Sequence, residues 1–245
     1  MKDNAKKLIC HSDNRALARK EERKMEYEEK PLKYDRGTFT LSKRIGRKLR
    51  GVLAPLALFP LMAGWGGCFN DQPVSGFRIS VADFPAEPSH NYVFFSSKDA
   101  ASLTVPAAES SGDPTMFGGT IELFNLDTGQ QDAYNLPQKN WTALPAPEEG
   151  YSYLDSQHND GPCEYVAVVA GERLIASCRG ADVHFMLEQP QTGTLNFSLT
   201  LGTVGGTRYC AAFGGHVMRN ISTAQAEVGS FLATDAPAPS NCSGL

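Results

Sequence analysis

The stretch LDSQHNDGPC, residues 154–163, gathers Asp155, His158, Asn159 and Asp160 within one short loop. Two chemistries follow from such a set. A hard cation such as calcium takes several oxygens converging at about 2.4 Å. An acid and a histidine beside a nucleophile would serve hydrolysis. The spacing is not that of an EF-hand loop, and Asp and Asn are also the residues that build turns. An Asx-rich loop is the expected role, and a calcium site or a secreted hydrolase built on this loop is the sharper alternative.

The remaining reactive side chains are scattered. His11, His90, His158, His184 and His216 lie far apart in sequence, and there is no GxSxG elbow or HExxH pair. His184 falls inside DVHFML (182–187) and is expected on a strand face. FGGH (213–216) has the glycines of an oxyanion turn, but its β context makes a bulge or tight turn the expected form. Gly205, Gly206, Gly214 and Gly215 lack the Lys-Ser/Thr and the following helix of a phosphate loop. Trp141, Tyr151 and Tyr153 would form either a sugar- or peptide-binding surface or core packing, and core packing is expected. Sequons at Asn140, Asn196, Asn220 and Asn241 matter only in a eukaryotic secretory chain. These patterns give no catalytic residue, no cofactor-binding residue, no metal ligand and no cofactor.

Cysteine chemistry is more informative. There are six cysteines: Cys10, Cys68, Cys163, Cys178, Cys210 and Cys242. None has CxxC spacing, which argues against zinc. The last four form an even set, which reads as two disulfides in an oxidising compartment. Three pairings are open, and Cys163–Cys178 with Cys210–Cys242 is favoured. CEYVAVVAGERLIASC is nearly symmetric about Ala170–Gly171. Folded there as a hairpin, it sets Val166 opposite Ile175 and Cys163 opposite Cys178.

The charge divides the chain. Residues 1–50 carry 16 Lys/Arg and 8 Asp/Glu, whereas residues 51–245 carry 7 and 19. The acidic part excludes nucleic-acid binding by charge. The basic part has its acids interspersed and lacks a stacking pattern, so it too is no nucleic-acid arm.

Between the two parts, KRIGRKLR (43–50) precedes the uncharged run GVLAPLALFPLMAGWGG (51–67), and Cys68 follows. Basic, apolar and small-residue zones in that order form an export signal. The run is short for a membrane span, and Pro55 and Pro60 would each remove a backbone hydrogen bond in lipid. Residues 43–68 resemble a bacterial lipoprotein signal: Gly66 and Gly67 fill the small positions before Cys68, although Trp65 stands where that family prefers Leu. The resemblance implies export, a lipidated Cys68 and an envelope location. Ordinary cleavage near Gly64–Gly67 and an uncleaved anchor stay open. Residues 1–42 are expected to be a disordered charged leader, arising from a start placed upstream of the real one (Met25, or near Leu41) or forming a cytosolic tail.

From Gly76 onward, short β-type runs alternate with turn signals. They are 77–84, 91–97, 102–106, 119–126, 131–136, 165–170, 173–178, 182–187, 194–202, 207–213 and 229–234. In TLNFSLTLG, residues Leu195, Phe197, Leu199 and Leu201 share one face, as in a half-buried strand. LDTG (126–129) reads as a hairpin turn. The expected fold is all-β, an antiparallel sandwich-like ectodomain. The loop ALPAPEEG (143–150) suggests two packed β units, 76–142 and a disulfide-bonded 151–245, with one sandwich as the alternative. The expected function is that of an exported cell-envelope or secreted protein with a binding, adhesive or structural role. An envelope polymer or another exported protein would be its partner.

Overall fold

The computed structural model describes residues 69–98 and 100–243. The leader, the signal segment, Cys10 and Cys68 lie outside the described residues. The described residues form one compact unit.

Thirteen strands build it: β1 (Asn70–Pro73), β2 (Gly76–Asp83), β3 (Tyr92–Ser97), β4 (Gly119–Asn125), β5 (Gln130–Leu136), β6 (Trp141–Ala143), β7 (Gly150–Leu154), β8 (Cys163–Val169), β9 (Arg173–Arg179), β10 (Leu195–Leu201), β11 (Thr207–Phe213), β12 (His216–Ile221) and β13 (Gly229–Ala236). One sheet has the order β1-β11-β10-β4-β5 and the other β12-β13-β2-β3-β9-β8-β7-β6. All neighbours are antiparallel except β1 with β11. The fold is an all-β sandwich.

The two expected units do not separate. Each sheet takes strands from both sides of the 143–150 loop, and that loop joins β6 to β7, neighbours in one sheet. A Pro- and Glu-rich linker composition here marks a hairpin connection inside one sandwich.

Period-two alternation supplies the core. Leu195, Phe197, Leu199 and Leu201 of β10 face Ile79, Val81, Val93 and Phe95 of the opposite sheet within one buried cluster. Phe95 and Phe197 stack across it with centroids 3.9 Å apart, and Phe213 meets Phe95 edge-on. β10 is buried on its outward side as well, at Asn196 and Ser198, so it is more enclosed than a half-buried strand.

The Cys163–Cys178 hairpin differs from expectation by one residue. The loop holds three residues, Ala170–Glu172, with Gly171 at φ +65. That length shifts the register, so Val166 pairs with Ala176 and Ala167 with Ile175. A bulge at Glu164 absorbs the shift and still brings Cys163 opposite Cys178. Ile175 therefore faces outward and Ala176 inward.

Two runs that alternate like strands pair with no strand. Residues 103–107 are an extended strap whose carbonyls accept from Gly171 N and from the hydroxyls of Tyr209 and Tyr151. Residues 183–187 bury Val183, Phe185 and Leu187; apart from Val183 N donating to Gly180 O and Leu187 O accepting from Thr223 N, their backbone groups are satisfied by side chains. Asp132 accepts from His184 N, Asp83 accepts from Leu187 N, Asn91 donates to Val183 O and Gln130 donates to Met186 O. Both runs read as strands because period two reports one-sided burial, whichever group satisfies the backbone.

Candidate functional site

The loop 155–160 directs its polar groups to its own construction. Asp155 is buried and its two oxygens accept from Asn159 N and Asp160 N. Asp160 is held by Lys139 at 2.7 Å and by Asn140 at 2.9 Å, and Lys139 first, then Asn140, hold its carboxyl below the usual range. His158 adopts φ +53 with Nε2 3.9 Å from Glu164. No hydroxyl or thiol hydrogen-bonds to His158 among the described residues, and no His, Cys, Asp or Glu group of metal-ligating size occurs among them. The Asx-loop reading accounts for the contacts of Asp155; Asp160 is instead tied to Lys139 and Asn140, and the buried Nδ1 of His158 has no hydrogen-bond partner among the described residues.

The other sequence candidates also fall in structural places. Trp141, Tyr151 and Tyr153 are core residues, with Trp141 edge-on to Tyr153. His184 is exposed on the 183–187 strap and belongs to no strand. Gly214 and Gly215 turn the chain from β11 in one sheet to β12 in the other, and a Cβ on Gly214 would meet Thr194 Oγ1 at 2.8 Å. FGGH is thus a tight inter-sheet corner.

Both disulfides are formed as paired from the sequence, Cys163–Cys178 and Cys210–Cys242, with Cα atoms 3.7 and 5.7 Å apart. The first lies in the core, closer than the usual span of about 4.4–6.8 Å, next to the β8 bulge. The second lies outside the core cluster, where the tail after β13 reaches β11. Two buried disulfides fit an oxidising, exported environment. Among the described residues, no helix is long and apolar enough to cross a membrane.

What the sequence did not bring together is the outward face of the eight-stranded sheet. Directly paired residues share a face, so register alone defines this surface. Across the middle run Arg219 (β12), Leu232 (β13), Ser80 (β2), Phe94 (β3), Ser177 (β9) and Tyr165 (β8). Arg78 stands on one side of this row, opposite Ser96 and Thr234. Arg179 stands on the other, opposite Tyr92, and Arg173 begins β9. Four of the seven cations after residue 50 are therefore on one face of an acidic domain.

Two of these four arginines are paired with acids and two are not. Glu164, at the β8 bulge, pairs with Arg179 at 2.7 Å, and Glu172, in the adjoining turn, pairs with Arg173. Arg78 and Arg219 are exposed and make no ion pair among the described residues. A groove of about 430 Å³ indents the face, with Tyr92 and Phe94 in its lining together with Ser177, Arg179, Ser89 and His90. Tyr92 Oη lies 3.2 Å from Ser80 Oγ, laying the ring over β2. Strand spacing of about 4.8 Å and a rise of about 3.4 Å per residue put Arg78 and Arg179 about 17 Å apart. The surface thus offers guanidinium forks, aromatic faces and hydroxyls over a span longer than one small molecule. Period-two reading marks these residues only as outward; the sheet order that gathers them is set by long-range pairing. No family model, curated protein or solved structure matches this chain.

Proposed function

We propose that this protein is an exported, envelope-held binding module whose eight-stranded sheet presents its outward face to an anionic polymer, an acidic polysaccharide. The observation that carries the reading is the concentration of Arg78, Arg173, Arg179 and Arg219 around Tyr92, Phe94 and Tyr165 on a domain otherwise rich in acids. Guanidinium forks match carboxylates, and ring faces with neighbouring hydroxyls suit sugar rings. The domain's net negative charge repels polyanions elsewhere, so only this face accepts one, and salt weakens it. Attachment at the envelope rests on the basic, apolar and GGC order ending at Cys68.

The test is binding of polygalacturonate to the wild type and to Arg78→Ala/Arg219→Ala. These two arginines hold no partner among the described residues, so their loss should leave the fold intact. The double variant should bind at least about tenfold more weakly, and about 0.5 M salt should abolish wild-type binding. Equal binding by both proteins, or none by the wild type at low salt, would overturn the reading. Palmitate incorporation that persists in Cys68→Ser, or is missing from the wild type, would remove the lipid anchor while leaving the binding face untouched.

A further inference from the structure

The sandwich has a second recess, beside the 183–187 strap and going beyond the polymer-binding face. It encloses about 470 Å³, with Pro85, Pro88 and Met186 among its apolar walls and Asp83, Asn91 and Glu188 among its polar groups. Asp83 follows Ile79 and Val81 along the inward side of β2 and is 5% exposed. One of its carboxylate oxygens accepts from Leu187 N at 2.8 Å. The other accepts nothing among the described residues. A buried carboxylate ordinarily gathers two or three donors.

No side chain of the recess donates to that oxygen: the Thr223 hydroxyl donates to Leu187 O at 3.5 Å, and the exposed His184 ring, which also lines the recess, makes no hydrogen bond to Asp83 among the described residues. No Lys or Arg lines it. The Asn91 amide is already committed, donating to Val183 O and accepting from Phe84 N. Glu188 is exposed and makes no ion pair among the described residues, so it adds a second uncompensated carboxylate. The recess therefore selects a cation, and three kinds can be separated by chemistry. A hard metal ion wants more oxygens than two carboxylates bring, and no group of three ligating side chains is present among the described residues. A guanidinium is recognised best by both oxygens of one carboxylate, and Leu187 N already holds one of Asp83's. An ammonium is a compact charge that one free oxygen can receive, and its carbon stem needs an apolar wall.

We infer that this recess binds a primary ammonium on a short apolar stem, with the nitrogen donating to the free oxygen of Asp83 and the stem lying along Pro85, Pro88 and Met186. Folding has already removed most of the water from Asp83, so binding supplies a donor without repeating that desolvation. A free alkylamine and a lysine side chain of a peptide share this chemistry. Glu188 contributes longer-range attraction from a solvated position.

The experiment is a titration of the full chain, followed by protein NMR, with n-butylammonium, n-butanol, n-butylguanidinium and N-acetyl-lysine methylamide. The butylammonium and the lysine derivative should shift resonances of residues 83–91 and 183–188 saturably, and the tighter of the two names the source. Butanol and butylguanidinium should bind at least about tenfold more weakly. Asp83→Asn retains an acceptor for Leu187 N and should lose about tenfold or more in amine affinity. Glu188→Gln, at an exposed position, gives a smaller loss and keeps the test valid if Asp83→Asn fails to fold. Polygalacturonate binding should be unchanged in both variants, so the two sites are judged separately. Butanol binding as tightly as the amine, no saturation by either amine up to about 10 mM, or unchanged amine affinity in Glu188→Gln and in a folded Asp83→Asn would overturn the proposal.

Discussion

Breaking Cys210–Cys242 in the double variant Cys210→Ala/Cys242→Ala should destabilise the domain by about 3.7 kcal/mol at 25 °C. The bond spans a sequence separation of 32, and the chain-entropy relation converts that loop into this figure. For a domain of about 175 residues it corresponds to a fall of about 10 °C in Tm. The structure also says where the damage stops. After Ala236 the tail's only covalent tie to a strand is this bond, and PAPSNC (237–242) has little strand propensity. β13 itself is paired along its length with β2, from Gly229 opposite Asp83 to Ala236 opposite Gly76. Urea unfolding gives the magnitude and amide hydrogen exchange gives the extent. Exchange should rise over 237–243 and stay low in β13. A loss below about 1 kcal/mol, or deprotection that spreads through β13 into β2, would refute the loop-entropy account and show that the tail is structural in another way.

Further outcomes follow from single side chains. Asp155→Ala removes the acceptor of two backbone N–H groups at a buried position and should cost about 2–3 kcal/mol in urea unfolding, while leaving polygalacturonate binding intact. Phe197→Ala deletes a fully buried ring stacked on Phe95 and should cost about 3–5 kcal/mol by the same measurement. At Asp113, burial works to raise the carboxyl, but donation from Thr115 Oγ1 and from Glu109 N and Thr115 N outweighs it and holds it below 3.8. Its stabilisation is therefore complete above pH 3.8 and is lost as the pH falls through the lower folded value, so Asp113→Ala should flatten the acid limb of the stability–pH curve. Burial raises the tyrosines at 134, 151, 153 and 209 above 10. The stability tied to their neutral forms is present below pH 10 and is lost on going higher, so in an absorbance titration they should ionise together with unfolding.

The elements most legible in the sequence are those whose alternation and turn chemistry agree. β11 spans the same residues, 207–213, as the run TRYCAAF, and LDTG closes the β4–β5 hairpin. Less legible are the strands defined by their partners. β12, HVMRNI, is exposed over most of its length and has no apolar alternation; it exists because β13 offers it an edge. β1, NDQP, is a parallel edge strand fixed to β11 by two hydrogen bonds from Arg208 to Asp71, a tie between residues 137 apart in sequence. Such pairings are tertiary, and local propensity carries no trace of them. The hairpin at Cys163 shows the same limit in miniature, since a three-residue turn and a bulge compensate each other and a symmetric reading recovers the cysteine pair but not the strand faces.

The site residues were hidden for a related reason. Asp83 is the penultimate residue of the run FRISVADF, where it reads as a polar residue near a strand end, and DVHFML reads as another strand that would satisfy its own backbone. In the folded chain the second run has no ladder, and side chains from β2 and β5 take the place of one. That substitution is what puts a carboxylate in the core register at all. A ladder-paired strand at 183–187 would take Leu187 N for itself and leave Asp83 buried with no donor, a cost of several kcal/mol that would select an apolar residue at position 83. The strap accounts for one oxygen of Asp83. The second oxygen lies beyond what the strap requires, and a bound ammonium would complete it.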